Sequence, residues 1–286
     1  MQFGIMFANT GYGSTPEGAK AVVQAAEAGG FTTAWTVEHV VVPSGYESKY
    51  PYDESGKMAG GAEEFDLPDP LIWLSWVAAH TTTLRLATGI LIATQRNPLI
   101  IAKAAATLDR LSGGRLDLGV GAGWLEEEFD ALGVPFAARG KRLDEYIDAM
   151  RALWTQDKSS FHGDFVNFDN CISRPQPVNG TVPIVIGGHT KAAARRAGAR
   201  GDAFFPGSAT AGEISELVEV MKQTAAEHGR DGGAIPIYAM AFGKPGDAMY
   251  ARIDSLQAAG VSQTIVPTYS PGKLADIGQN LLSRFG

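Results

Sequence analysis

Three short stretches of this chain carry residue types that could do chemistry, and each follows an apolar, β-rich run. The first is Gly119-Val120-Gly121-Ala122-Gly123-Trp124. Glycines at alternate positions leave the backbone uncovered, so a flat or phosphorylated ligand could approach the main-chain amides closely. The plainer alternative is a tight strand-to-helix turn. The second stretch, Gly187-Gly188-His189-Thr190, precedes a helical segment rich in Ala and Arg. Free amides and a hydroxyl at a helix N-terminus suit a phosphate, although Thr190 would also serve as a simple helix cap. The third is Glu38-His39. An imidazole at that place would donate a hydrogen bond or shuttle a proton, or else be a satisfied structural histidine. The acidic run Glu126-Glu127-Glu128 opens a helix and reads as a charged face complementing the helix dipole.

Positioning these stretches requires strands that end beside one another. Strands are expected to start near Phe3, Thr33, Leu84, Arg115, Ile184, Ala203, Ile235 and Thr264, with helical segments between them. Eight such alternations predict an α/β fold, a (β/α)8 TIM barrel in which residues 1–286 form a single domain. Two insertions interrupt the rhythm. Val40 to Pro70, after the second strand, is rich in Pro, Gly, Tyr and acidic residues and is expected to be a functional loop. Phe161 to Phe168, before the fifth strand, alternates aromatic and polar residues around Gly163 and predicts a hairpin. Trp73 and Trp76 lie at helical spacing and are assigned to the core. The working face of such a barrel lies at the C-terminal ends of its strands. Asn9, Glu38-His39, Gly89 to Thr94, Gly121 to Trp124 and Gly187 to Thr190 should therefore meet at one mouth, the expected place for a small-molecule ligand.

Composition limits the alternatives. Lys+Arg 24 against Asp+Glu 31 gives a formal net charge of -7, and no dense basic run points to nucleic acid or an anionic membrane. The single cysteine, Cys171, excludes an internal disulfide and supplies no paired metal-ligand spacing, which fits a cytoplasmic protein. No metal site is expected, and His80, His162 and His228 read as structural. The N-terminus lacks the features of a signal peptide, and no run of about 18 apolar residues is present to span a membrane. Neither Gly-x-x-x-x-Gly-Lys-Ser/Thr, Gly-x-Gly-x-x-Gly, His-Glu-x-x-His nor Gly-x-Ser-x-Gly occurs.

Taken together, Glu38-His39-Val40-Val41-Val42-Pro43, Thr88-Gly89-Ile90-Leu91, Arg96-Asn97-Pro98, Leu108 to Arg115, Gly119 to Trp124, Glu127-Glu128-Phe129, Arg139-Gly140 and Gly187-Gly188 form a recognisable set. Over nearly its whole length the chain resembles the luciferase-like flavin and deazaflavin oxidoreductases, in particular their actinobacterial F-420-dependent branch. The resemblance implies a cofactor ring in the barrel mouth, backed by a non-prolyl cis peptide at Gly89-Ile90. It implies a phosphate on Gly187, Gly188, His189 and Thr190, a pocket wall of Gly121, Ala122, Gly123 and Trp124, and His39 near the reactive face of the ring. Two departures stand out. Many relatives have Asp where this chain has Glu38, and the sugar-phosphate dehydrogenases of the family have a glutamate acid where it has Trp124. Glu38 or His39 is therefore the expected proton relay. The implied activity is hydride transfer between coenzyme F-420 and a small organic substrate. An FMN-dependent two-component monooxygenase and a non-catalytic flavin-binding or carrier protein are the alternatives. Pairing through barrel helices into a homodimer is also implied.

Overall fold

The structure, a computed structural model, describes residues 1–286 apart from the side chain of Ala59. Its strands are β1 (Gln2–Met6), β2 (Thr33–Thr36), β3 (Arg85–Thr88), β4 (Leu91–Ile92), β5 (Leu116–Gly121), β6 (Ser159–His162), β7 (Asn167–Cys171), β8 (Ile184–Gly187), β9 (Ala203–Phe205), β10 (Tyr238–Met240) and β11 (Gln263–Pro267). Its helices are α1 (Pro16–Ala28), α2 (Pro70–Ala78), α3 (Pro98–Ser112), α4 (Glu126–Ala131), α5 (Arg139–Thr155), α6 (Lys191–Arg200), α7 (Ala211–Glu227), α8 (Asp247–Ala258) and α9 (Pro271–Phe285). Local chemistry explains several of the helix starts. Pro16, Pro70 and Pro98 stand in the first turn behind the capping side chains of Thr15, Asp69 and Asn97, and Thr210 with Glu213 forms a full capping box on α7.

Eight parallel strands run in the order β10-β11-β1-β2-β3-β5-β8-β9, with the short β4 added beside β5. The two ends of that order meet at one parallel bridge between Phe204 and Ile237, supported by Phe204 N donating to Pro236 O at 3.0 Å and Met240 N to Gly207 O at 3.0 Å. The result is the nearly closed barrel that the eight strand starts predict. The strands read as continuous apolar runs because both faces are covered. Phe3 and Ile5 of β1 pack outward into the helical layer, while Met6, Trp35, Ala87, Val185, Phe205, Met240 and Ile265 fill the barrel interior. Gly4 makes room for the central indole: a Cβ there would lie 3.0 Å from Trp35 Nε1.

The hairpin forms from β6 and β7 as an antiparallel pair. Its tip is held by Glu145, which accepts from the Asp164 and Phe165 amides at 2.9 and 2.7 Å. The shared core assignment of Trp73 and Trp76 requires correction. Trp73 is buried and donates its indole N–H to Gly13 O at 2.7 Å. Trp76 is 48% exposed and lies instead against His80, the ring centres 4.8 Å apart and the planes tilted by 40°. Three residues apart on a helix is a turn of about 300°, so the two rings flank the buried stripe and only one enters it. Among the described residues no helix is long and apolar enough to cross a membrane.

Candidate active site

The C-terminal ends of the strands converge as the barrel rule requires. Asn9, fully buried after β1, fixes the end of β2 by accepting from Val37 N and donating to Val37 O, both at 2.9 Å. It also donates to Pro68 O at 3.2 Å, which ties down the returning end of the long insertion.

Glu38 and His39 follow and point to different surroundings. The Glu38 carboxylate turns into the protein wall, where it accepts from Ile92 N at 2.5 Å and pairs with the Arg96 guanidinium. Arg96 also holds Asp69 at 2.9 Å, and Asp69 caps α2. Burial pushes the Glu38 carboxyl above its ordinary range, against the pull of the Arg96 charge and the Ile92 amide. His39 instead places its ring beside Trp124, edge to face at 5.8 Å, with 12% of its side chain exposed. Its Nδ1 lies 3.0 Å from Glu128 Oε2, and its Nε2 makes no hydrogen bond among the described residues.

The acidic run does stand in the first turn of α4, but Glu128 and Glu127 do more than complement the helix dipole. Only Glu126 is exposed. Glu128 is 1% exposed and, besides His39, accepts from Val40 N at 2.6 Å and Val41 N at 3.2 Å. Burial alone would raise its carboxyl, but hydrogen bonding and charge from His39, with the Gln95 amide and Val40 N–H adding to them, hold it below the usual range. The Gln95 side chain adds to that pull, although its two buried amide atoms make no well-formed hydrogen bond. Glu127 accepts from the amides of Glu47 at 2.7 Å and Ser48 at 3.0 Å. Hydrogen bonding from Ser48 and then from Glu47 brings its carboxyl down to about 2. The signal for Glu128 was present in the sequence: it shares a helical face with Leu125 and stands next to Phe129, both buried.

The insertion that these carboxylates grip is ordered around aromatic rings. Trp124 packs edge to face against Tyr46 at 5.6 Å and Tyr50 at 5.2 Å. Tyr50 meets Tyr52 at 5.4 Å, and Tyr52 meets His189 at 4.8 Å. Tyr52 also lies against Gly207, where a Cβ would come within 3.1 Å of its ring. A line of rings thus runs from His39 to His189, carrying the insertion from the end of β2 across to the ends of β8 and β9.

Beneath it, the peptide between Gly89 and Ile90 is cis. The Ile90 side chain lies across the glycines: a Cβ on Gly121 would sit 1.9 Å from its Cδ1, and one on Gly187 would sit 2.6 Å from its Cγ2. A Cβ on Gly119 would collide with Thr88 O at 1.9 Å. The space left by these glycines is therefore filled by the protein itself, which raises Ile90 into the mouth as a partly exposed shelf beside Phe7 and Val37. Gly123 needs its positive φ of 86° and has Phe129 packed where a side chain would go. Ala122 O accepts from Thr94 at 2.9 Å, and Gly123 O accepts from Arg139 at 3.0 Å.

At the α6 start Thr190 does cap the helix, accepting from Ala193 N at 3.2 Å. Gly188 N is used by Phe205 O at 3.0 Å. The Lys191 and Ala192 amides find no partner among the described residues, and the buried Nδ1 of His189 has none either. An anion would satisfy such donors, so capping and phosphate binding are compatible at this turn.

Comparison with known proteins bears on the family and the fold. The family model described as luciferase-like monooxygenase matches residues 1–259. An uncharacterized protein of Mycobacterium tuberculosis is 35% identical over 187 residues, 65% of this chain and 65% of that protein, so the match spans about two thirds of its length. The FMNH(2)-dependent dimethylsulfone monooxygenase of Pseudomonas putida is 31% identical over 65% of this chain and 50% of its own. Among solved structures, the coenzyme F420-dependent tetrahydromethanopterin reductase of Methanopyrus kandleri superposes with a TM-score of 0.79 at 18% identity, covering 100% of this chain and 99% of that one.

Proposed function

Because this chain belongs to the luciferase-like monooxygenase family, we propose that it is a cytoplasmic oxidoreductase that moves a hydride between coenzyme F-420 and a small organic substrate at the barrel mouth. When bound, the deazaflavin supplies the hydride chemistry. The chain supplies orientation, exclusion of water and a proton. Ile90 at the Gly89-Ile90 peptide is the shelf behind the ring, and Gly121, Ala122, Gly123 and Trp124 form one wall. The free amides at the α6 start, with Gly187, Gly188, His189 and Thr190, take the phosphate. His39 Nε2 handles the proton, since Nδ1 is committed to Glu128. Glu38, committed to Arg96 and the Ile92 amide, supports that relay by holding the end of β2 in place. The tyrosine-bearing insertion covers the substrate.

The observation that carries this reading is the convergence of the Ile90 shelf, the open helix start and an imidazole with one free nitrogen on a single mouth. Anaerobic titration of the purified protein with reduced F-420 and with reduced FMN tests it. Tight binding of F-420 is expected, and tight binding of FMN alone would overturn it. The named Pseudomonas relative favours the second reading, an FMN-dependent monooxygenase fed by a separate reductase. Oxygen consumption with reduced FMN would select that reading. A homodimer through barrel helices belongs to the proposal, and the exposed Ile72 and Trp76 on α2 and Ile100 on α3 offer an apolar face for it. A light-scattering mass equal to one chain would remove that part.

A further inference from the structure

Glu128 stands at a junction. One carboxylate oxygen meets His39 Nδ1 at 3.0 Å, and the other accepts the amides of Val40 and Val41 at 2.6 and 3.2 Å. Val40 and Val41 are the root of the insertion that crosses the mouth. The carboxylate itself is fixed, because the side chain is buried and the next residue, Phe129, is locked against Phe136 at 5.2 Å. An ionised carboxylate only accepts hydrogen bonds. A neutral His39 must then carry its hydrogen on Nδ1, which leaves a lone pair on Nε2.

We propose that Glu128 is a positioning residue that sets the tautomer of His39 and clips the root of the insertion with the same carboxylate, so that one group both anchors the cover of the mouth and readies Nε2. This rests on the reading of His39 as the proton relay only for its catalytic meaning; the structural coupling stands by itself. Glu127 provides an internal contrast. It grips the same insertion further along, at Glu47 and Ser48, and touches no histidine.

Glutamine separates the two jobs. In Glu128→Gln the amide oxygen can still accept from Val40 and Val41, where two N–H groups demand an acceptor. The NH2 then faces His39 and cannot accept from it, so the ring must present a lone pair at Nδ1 and carry its hydrogen on Nε2. The test uses the full chain with 15N-labelled histidine, at a pH well above the ordinary imidazole value of about 6.5, so that the ring is neutral. The chain has five histidines, and His39 is assigned by the signal lost in His39→Gln. Long-range 1H–15N correlations distinguish the two tautomers, and amide hydrogen exchange reports on the insertion.

The expected results are the Nδ1–H tautomer in the parent protein and the Nε2–H tautomer in Glu128→Gln, with Val40 and Val41 exchange nearly unchanged. Glu128→Ala should speed that exchange by about tenfold or more. Glu127→Ala should speed exchange at Glu47 and Ser48 while leaving the His39 tautomer alone. An Nε2–H tautomer in the parent, or a tautomer indifferent to Glu128→Gln, would overturn the proposal. None of these readouts needs a cofactor, so a failed F-420 titration and a failed tautomer test are distinguishable.

Discussion

The two ends of the barrel differ in how fully they pair their buried polar groups. At the N-terminal end most such groups are paired within the protein: Trp35 donates to Gln263 at 3.0 Å, Gln263 donates to Thr33 at 3.0 Å, and Arg85 forks onto Asp117 at 2.7 and 2.5 Å, with Arg151 Nε beside Asp202 left without a partner among the described residues. Burial still pushes the Asp117 carboxyl upward, but Arg85 answers it directly. At the C-terminal end, Gln95, Glu127 Oε2 and His189 Nδ1 are buried without a partner among the described residues. Leaving a buried polar atom unpaired costs about 1–3 kcal/mol. The first end is largely paired within the protein, and the second leaves more hydrogen-bonding capacity open around the mouth.

Breaking the mouth end should cost turnover more than stability. His39→Ala is expected to reduce the hydride-transfer rate by about 10²–10⁴-fold, the usual contribution of a general acid or base, while cofactor affinity changes little; single-turnover kinetics against equilibrium binding checks this. Unchanged cofactor oxidation across a substrate panel would point to a flavin carrier. Arg96→Met attacks the connection between the two regimes, because it leaves Glu38 buried with only the Ile92 amide. Arg96 is itself 26% exposed, so the low end of the range for a broken buried pair applies, about 3 kcal/mol in denaturant unfolding.

The glycines divide the same way. Gly119→Ala would press on Thr88 O, a backbone atom that cannot yield, and should cost about 3 kcal/mol. Gly121→Ala would press on the tip of Ile90, which can rotate, and should cost about 1 kcal/mol. Adding Ile90→Ala should restore stability to the second variant and not the first, as thermal melts would show.

The smallest effect concerns acid. Glu27 accepts from the amides of Thr82, Thr83 and Leu84. Burial would raise its carboxyl, but those amides outweigh burial and bring it from 4.5 to about 2. A carboxyl lowered in the folded state stabilises fully above its unfolded value and loses that contribution as pH falls from 4.5 toward 2. Glu27→Gln should flatten the acid limb of the stability curve in that window and lower the plateau above it.

The barrel was legible because most strands are short β-rich runs closed by Gly, Asn, Pro or Glu-His, and the glycine-bearing strand ends marked the mouth. What lay beyond reading was the partnership between segments distant in sequence. The spacing of Gly119, Gly121 and Gly187 suggested open backbone, and nothing local showed that Thr88 and Ile90 fill that space. The burial of Glu128 could be read from its neighbours, but the partners of Glu127 and Glu128 could not, because most are main-chain amides, which every residue but proline carries and no sequence pattern reveals. Trp76 matched the helical period of Trp73, but periodicity cannot say where the edge of a buried stripe falls.

That dependence on main-chain amides bears on how such a protein can be remodelled. The four N–H groups held by Glu127 and Glu128 belong to Val40, Val41, Glu47 and Ser48. Only the Ser48 side chain adds to this grip, through Glu127. Val40, Val41 and Glu47 are therefore anchored through the main chain and their side chains can be rewritten, proline excepted, while Tyr46, Tyr50 and Tyr52 must keep their rings to hold the cover on Trp124 and His189.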